Sequence, residues 1–352
     1  MFTLRLVWRN AFRARLRSAL TLMGLAIALL AFGLLRTVVD SWYAGVEMAG
    51  ANRIITRNAI SLTFTMPSYY RDKIRAIDGV RRIAAANWFG GIWQDEKHFF
   101  AQDAVDLDIM FRIYPEFVVA PGELQDLLRD RQGCAIGRQL ANLYGFRVGD
   151  RLQLRGTIYP GTWEFNVRAI YDGRDETTIT RQMYFHYDLL NEWMRKNWGP
   201  DAADQVGVFL VQVDDPSRVA EVARRIDGEF ANSLAATISE SEKSFQLNFL
   251  AMFATIIKVV SGVSYVVIAI ILAVAANTMA MTARERLAEY ATLKALGFGP
   301  PFVARLILSE SLVLAALGCA AATALTPFVA WMFFNLIGKS MFARFVVAPE
   351  TY

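Results

Sequence analysis

The sequence predicts a membrane α-helical protein, with three visible spans and a large extracytoplasmic α+β domain between the first two. Three observations carry this. The 352 residues are 55% hydrophobic, with a mean hydropathy of +0.29, which is too apolar for an ordinary soluble chain of two domains. Three runs reach the roughly 20 apolar residues needed to cross a hydrocarbon core of about 30 Å. Between the first and second runs lie about 200 residues of alternating strand-like and helix-like sequence.

Residues 1–17 carry Arg5, Arg9, Arg13, Arg15 and Arg17 and read as a basic amphipathic helix. The first span, 18–39, is uncharged until Arg36, whose long side chain can snorkel to the interface. It is longer than the 7 to 15 residues of a signal-peptide core. With no evident small-residue cleavage site, it is expected to stay attached. Residues 247–281 form a stalk and the second span: Phe249, Phe253, Ile256 and Ile257 make an amphipathic lead-in, Lys258 marks the interface, and the apolar run is Val259 to Met281. The third span, 302–337, is apolar from Leu306 to Phe328 and is expected to kink or break at Pro327. Glu310, near its start, is expected to face protein or the interface. Residues 338–352 read as an extracytoplasmic tail.

Basic residues set the orientation. The N-terminal arginines, and Arg284, Arg286, Lys294 and Arg305 between the second and third spans, place both regions in the cytoplasm and residues 40–246 outside. The net charge of +4 is largely this bias, so nucleic acid is not an expected partner.

In the outer region, a helix is predicted from Ser68 to Ile77, then a turn at Asp78 and Gly79 and a strand. "CAIGRQLANLYGFRVGDRLQL" reads as strand, helix over Arg138 to Tyr144, turn at Gly149 and Asp150, and strand. "WEFNVRAIYDG" alternates as a half-buried strand, with Phe165, Val167 and Ala169 on one face. "VGVFLVQVDDPSRVAEVARRIDGEF" is a strand and then a helix starting at Asp215, Pro216 and Ser217. Two α+β lobes are expected.

Little in the sequence points to chemistry. A phosphate-binding loop ending in Gly-Lys-Ser or Gly-Lys-Thr does not occur. His98 and His186 stand about 90 residues apart without clustered ligands, and "DAVDLD", with Asp103, Asp106 and Asp108, lacks the glycine and closing glutamate of a calcium loop. "DGRDET", Asp172 to Thr177, reads as a hairpin tip. Cys134 and Cys319 fall outside and within a span, so no disulfide is expected, and Cys134 reads as a small buried residue. The aromatics Tyr69, Tyr70, Trp88, Trp93, Tyr159, Trp163, Trp193 and Trp198 suit core packing first and an apolar binding surface second.

The segment "RERLAEYATLKALGFGPP" from Arg284 to Pro301 is charged and helix-prone although it lies between two apolar runs. Helical spacing puts Leu287, Tyr290, Ala291 and Leu293 on one stripe and Arg284, Glu285, Arg286 and Glu289 on a charged face; Gly297 and Gly299-Pro300-Pro301 end the helix. By itself this is as readily a topology-fixing loop as a docking helix.

"AEYATLKALGFGPPFVARLILSESLVLAALG" resembles the permease subunits of the MacB/FtsX/LolC-E group of ABC transporters (type VII), in which a Glu-bearing helix, a basic-Ala-Leu-Gly turn and a Glu opening the next span recur. Here these are Glu289, Lys294 to Gly297 and Glu310. "LRLVWRNAFRARLRSALTLMGLAIA" and "IGRQLANLYGFRVGDRLQL" with "FNVRAIYDG" resemble the N-terminal helix and periplasmic core domain of the same group. Ala288 stands where that group often has Arg, and a fourth span is expected beyond Tyr352.

The resemblance implies an inner-membrane permease without its own nucleotide site. ATP and Mg would be bound by a partner, a cytoplasmic ABC ATPase dimer, and a second permease copy would complete the assembly. Residues 282–301 would be the coupling segment, with Arg284, Glu285, Arg286, Glu289, Leu293, Lys294 and Gly297 contacting or shaping the contact with the ATPase. ATP hydrolysis would then drive the periplasmic domain, a mechanism called mechanotransmission. It would move a hydrophobic or amphiphilic compound, a peptide or a lipoprotein, with a periplasmic adaptor and outer-membrane channel or a lipoprotein carrier. The alternative is a non-transporting transducer that activates a periplasmic cell-wall hydrolase. No catalytic, metal-binding or substrate-binding residue is assigned.

Overall fold

Helix α1 (Arg15–Glu47) carries the first apolar run and continues past it for two turns. The structure, a computed structural model, describes residues 15–47, 49–175, 178–252 and 254–334. The basic helix expected before Arg15, the tail and the fourth span lie outside the described residues, as do Glu176 and Thr177 of the "DGRDET" stretch.

After α1 the chain builds a domain around one ten-stranded sheet of order β12-β1-β11-β3-β4-β9-β6-β8-β5, with β7 paired to β8. The strands are β1 (Arg53–Asn58), β3 (Val80–Trp88), β4 (Ala101–Val105), β5 (Phe117–Val118), β6 (Gly133–Gly137), β7 (Arg151–Gly156), β8 (Gly161–Gly173), β9 (Gln182–His186), β11 (Val208–Val213) and β12 (Thr237–Ser241). Pairing is antiparallel except for β4 with β9 and β6 with β8. A separate ribbon pairs β2 (Met66–Pro67) with β10 (Gln205–Val206).

One continuous sheet thus takes the place of two separate lobes, and the division appears instead in its apolar clusters. Near the β1 end, α2 (Tyr70–Arg75) and α7 (Val219–Phe230) cover the sheet. Val219, Val222, Ala223, Ile226 and Phe230 recur at helical spacing and are buried, and Phe230 stacks on Tyr70 at 3.9 Å. Asp215 accepts from the Ser217 backbone N–H, which together with Pro216 begins the turn leading into α7. Towards the β8 end, Phe89 is ringed by Trp163, Phe165 and Phe185 at 5.1 to 6.1 Å. The opposite face of the sheet holds Met110, Leu127, Tyr171 and Tyr184 beneath α3 (Leu107–Ile113) and α4 (Pro121–Arg129). Helix α5 (Arg138–Tyr144) has its predicted span and ends at Gly145, whose φ of +77° suits glycine.

Two local expectations are corrected. The helix predicted from Ser68 to Ile77 is only Tyr70–Arg75, because the Ser68 N–H bonds to the Asp204 carbonyl beside the β2–β10 ribbon. In β8, Phe165 and Val167 share a core, but Ala169 faces the other one. Cys134 is opposite Val167 and Ala135 opposite Ala169, so Arg168 is an inserted residue that reverses the alternation.

The inserted domain closes with α8 (Glu242–Ala251), capped by the Ser241 hydroxyl, which accepts from the Ser244 N–H at 3.1 Å. Helix α9 (Ala254–Glu285) contains the second apolar run, the short α10 (Leu287–Ala295) follows, and α11 (Pro300–Phe333) contains the third. These helices and the first span form one unit, and the inserted domain forms another. The α11 helix continues through Pro327, where the Thr326 hydroxyl donates to the Ala322 carbonyl at 2.8 Å. A Cβ on Gly318 would come within 3.0 Å of Leu25 Cβ, so the absence of a side chain lets α11 pack closely on α1.

Candidate coupling site

The segment between α9 and α11 is an elbow rather than a loop. Helix α9 ends at Glu285, and Arg286 (φ −101°, ψ 13°) leaves helical geometry before α10 begins. At the far end of α10, Gly297 has a φ of +94°. Its N–H bonds to the Lys294 carbonyl at 3.0 Å, and the Phe298 N–H bonds to the Leu293 carbonyl at 3.1 Å. This pair of bonds is a Schellman motif, which needs a left-handed residue and therefore glycine at that position. Gly299, Pro300 and Pro301 then open α11, with Phe298 stacked on Phe302 at 4.7 Å.

Packing fixes the rotation of α10. Tyr290 is buried against Val303 and Leu306, with Leu293 and Ile307 half-buried beside it. Arg286 is buried too: its Nη1 donates to both carboxylate oxygens of Glu310 on α11, at 2.8 and 2.6 Å, and its Nε lies 3.8 Å from Glu289. A charge at each of these buried positions is tolerated because the other neutralises it.

The predicted faces are therefore rearranged. Arg286 turns inward, away from the charged face assigned to it, and Leu293 is half-buried within the elbow. Leu287, expected on the same stripe as Tyr290, is 65% exposed, and Ala291 is exposed as well. Arg284, Glu285, Glu289 and Lys294 are exposed, as expected for a polar face. Sequence spacing missed the Arg286–Glu310 pair because its members are 24 residues apart on different helices; a Glu in an apolar span was the signal that a partner must exist.

The other singled-out residues have local partners. His98 Nδ1 lies 2.7 Å from Asp95, and His186 Nε2 lies 2.8 Å from the Leu127 carbonyl. Asp106 accepts from the Ala85 N–H and pairs with Arg71, while Asp108 pairs with Arg112, so the "DAVDLD" carboxylates diverge. Asp172 holds Arg138 by two hydrogen bonds of 2.7 and 3.0 Å. Trp163 and Tyr159 are buried, whereas Tyr69, Trp88 and Trp198 are about half exposed. Cys134 is buried, and burial pushes its thiol pKa up.

Three long apolar helices and an α+β domain inserted after the first define a multi-pass membrane protein with a large extracytoplasmic domain. A family model described as the MacB-like periplasmic core domain matches residues 18–229, and one described as the FtsX-like permease C-terminal matches residues 261–352. The chain belongs to the MacB/FtsX family of ABC-transporter permeases. Among solved structures it is similar to the extracellular domain of the ABC-type transporter YknZ from Gram-positive bacteria, at 14% identity and a TM-score of 0.37, covering 54% of this chain and 100% of that one. It is also similar to the periplasmic region of MacB from Actinobacillus actinomycetemcomitans, at 9% identity and a TM-score of 0.40, covering 58% of this chain and 95% of that one. No curated protein sequence matches significantly.

Proposed function

We propose that the chain is the permease subunit of an ABC transporter in the bacterial inner membrane, with its N-terminus and elbow in the cytoplasm, driven by a separate ATPase that docks on the elbow. The observation that carries this is the construction of the elbow. A capped helix is fixed to α11 by Tyr290, Leu293 and the Arg286–Glu310 pair, while Leu287, Ala291 and Lys294, with Glu289, remain on its exposed side. A push on such a helix is delivered to α9 and α11 together, because neither end can swivel freely.

The ATP and Mg belong to the ATPase, and a second permease copy pairs with this one. The work done is a rearrangement of the outer domain that moves an amphiphilic or hydrophobic compound, a peptide or a lipoprotein away from the outer leaflet or the periplasm. An adaptor with an outer-membrane channel, or a lipoprotein carrier, receives it. Purification in mild detergent, with and without a non-hydrolysable ATP analogue, tests the reading. An ATPase should co-purify with the native chain and be lost from the Glu289→Lys/Leu287→Asp variant. Retention of the ATPase by that variant would remove the docking assignment, and its absence from the native preparation would remove the permease reading. A co-purifying adaptor, lipoprotein or cell-wall hydrolase would distinguish export, extraction and hydrolase activation.

A further inference from the structure

The inserted domain has a second charge cluster, outside the elbow, where the chain enters and leaves it. Arg53, in the first position of β1, is buried. Its Nε donates to Glu242 Oε2, in the first position of α8, at 2.5 Å. Its Nη1 donates to Glu116 Oε1 at 2.6 Å and to the Ile113 carbonyl at 3.4 Å, and the guanidinium lies 4.2 Å from the Tyr114 ring centroid. Glu242 Oε2 also accepts from the Gly50 N–H at 2.8 Å. A side chain on Gly50 would collide with the guanidinium.

The placement of Glu116 gives this cluster a wider reach. It immediately precedes β5, the last strand in the sheet order, whereas Arg53 belongs to β1, the second. Through the sheet itself, a displacement at β1 would have to cross β11, β3, β4, β9, β6 and β8 to reach β5. The Arg53–Glu116 bond joins the two ends directly, and β5 passes on to β8 through the Phe117–Gly173 and Val118–Asp172 pairs. One guanidinium suits this role because its nitrogens point in fixed directions and can hold two carboxylates at once, which an ammonium group cannot do with the same rigidity. Burial alone disfavours the charge on Arg53, yet Glu242, together with the neighbouring Glu116, holds its pKa above the ordinary value.

We propose that Arg53 is the junction through which motion of the stalk helix α8 reaches the far half of the outer domain, taken up at Glu242 and handed on at Glu116. This rests on the proposed function, since the motion originates at an ATPase. Arg53 is a positioning residue: it acts through its two carboxylate partners.

Hydrogen exchange on the full permease–ATPase complex, with and without a non-hydrolysable ATP analogue, tests the junction. In the native complex, nucleotide should change amide protection both in residues 242–251 and in residues 161–173. Glu116→Gln removes the charge of the far arm alone and so weakens its hold on Arg53, at a side chain that is 21% exposed and so tolerant of change. It should leave the response of 242–251 intact and reduce that of 161–173 at least twofold. Arg53→Lys, which keeps the charge and loses the fork, should act in the same direction, and Glu116→Asp should retain part of the far response. A full response of 161–173 in both Glu116→Gln and Arg53→Lys overturns the junction while leaving the permease reading standing. A native complex in which nucleotide changes neither segment overturns the permease reading and the junction with it.

Discussion

Asp103 shows how a single side chain can carry a cost that its sequence context conceals. In "DAVDLD" it is one of three aspartates, but on β4 it lies in the strand ladder opposite Trp88 and Tyr184, and burial pushes its pKa up from the ordinary carboxylate value to about 7. Between about pH 4 and pH 7 the folded protein therefore holds a proton that the unfolded chain has released, and stability falls as the pH rises through that window. Asp103→Asn should raise the thermal midpoint of the detergent-solubilised chain, with little gain at pH 5 and the equivalent of about 1 kcal/mol at pH 8; the partly solvated side chain keeps this below the full value of the shift. A gain that does not grow between those two pH values would exclude the assignment. This environment was not legible in the sequence, because the rings that bury Asp103 come from other strands.

At the scale of elements, the elbow depends on two features of different visibility. The Gly297 stop is a local signal that the structure uses as the sequence suggests, whereas Gly299-Pro300-Pro301, read from the sequence as part of that stop, opens α11. The rotation of α10 is not local: Tyr290 and Leu293 turn inward because α11 offers Val303, Leu306 and the Glu310 carboxylate. Glu310→Ala should cost about 3 kcal/mol, because it leaves Arg286 buried without its countercharge. The Arg286→Met/Glu310→Met double variant should lose much less, since no charge is stranded. Thermal midpoints of the native protein, Glu310→Ala and the double variant in the same detergent decide the matter, and a double variant no more stable than Glu310→Ala would contradict the buried-pair account. In β8 one inserted residue, Arg168, had the same kind of effect on a predicted face: a period-two pattern cannot show which partner strand will force a bulge.

For the whole molecule, orientation is the first property to measure. The positive-inside bias predicts that the elbow and the outer domain lie on opposite sides of the membrane. In a Cys319→Ala background, Leu234→Cys in the inserted domain should react with a membrane-impermeant maleimide on intact cells, and Lys294→Cys should react only after permeabilisation. Both side chains are exposed in this chain, so labelling at position 294 that appears only on permeabilisation reflects topology, and labelling of both in intact cells would overturn the orientation. The sequence alone determined the three spans, the α+β insertion, five of its strands and the C-terminal stop of the elbow helix, because apolar run length, alternation and Gly/Pro stops are properties of consecutive residues. Only the tertiary structure decided the single continuous sheet, the inward turn of Arg286 and Leu293, and the meeting of Arg53 with Glu116 and Glu242. Each of these depends on side chains distant in the chain meeting in a low-dielectric interior, where a charge must find its partner wherever the fold supplies one.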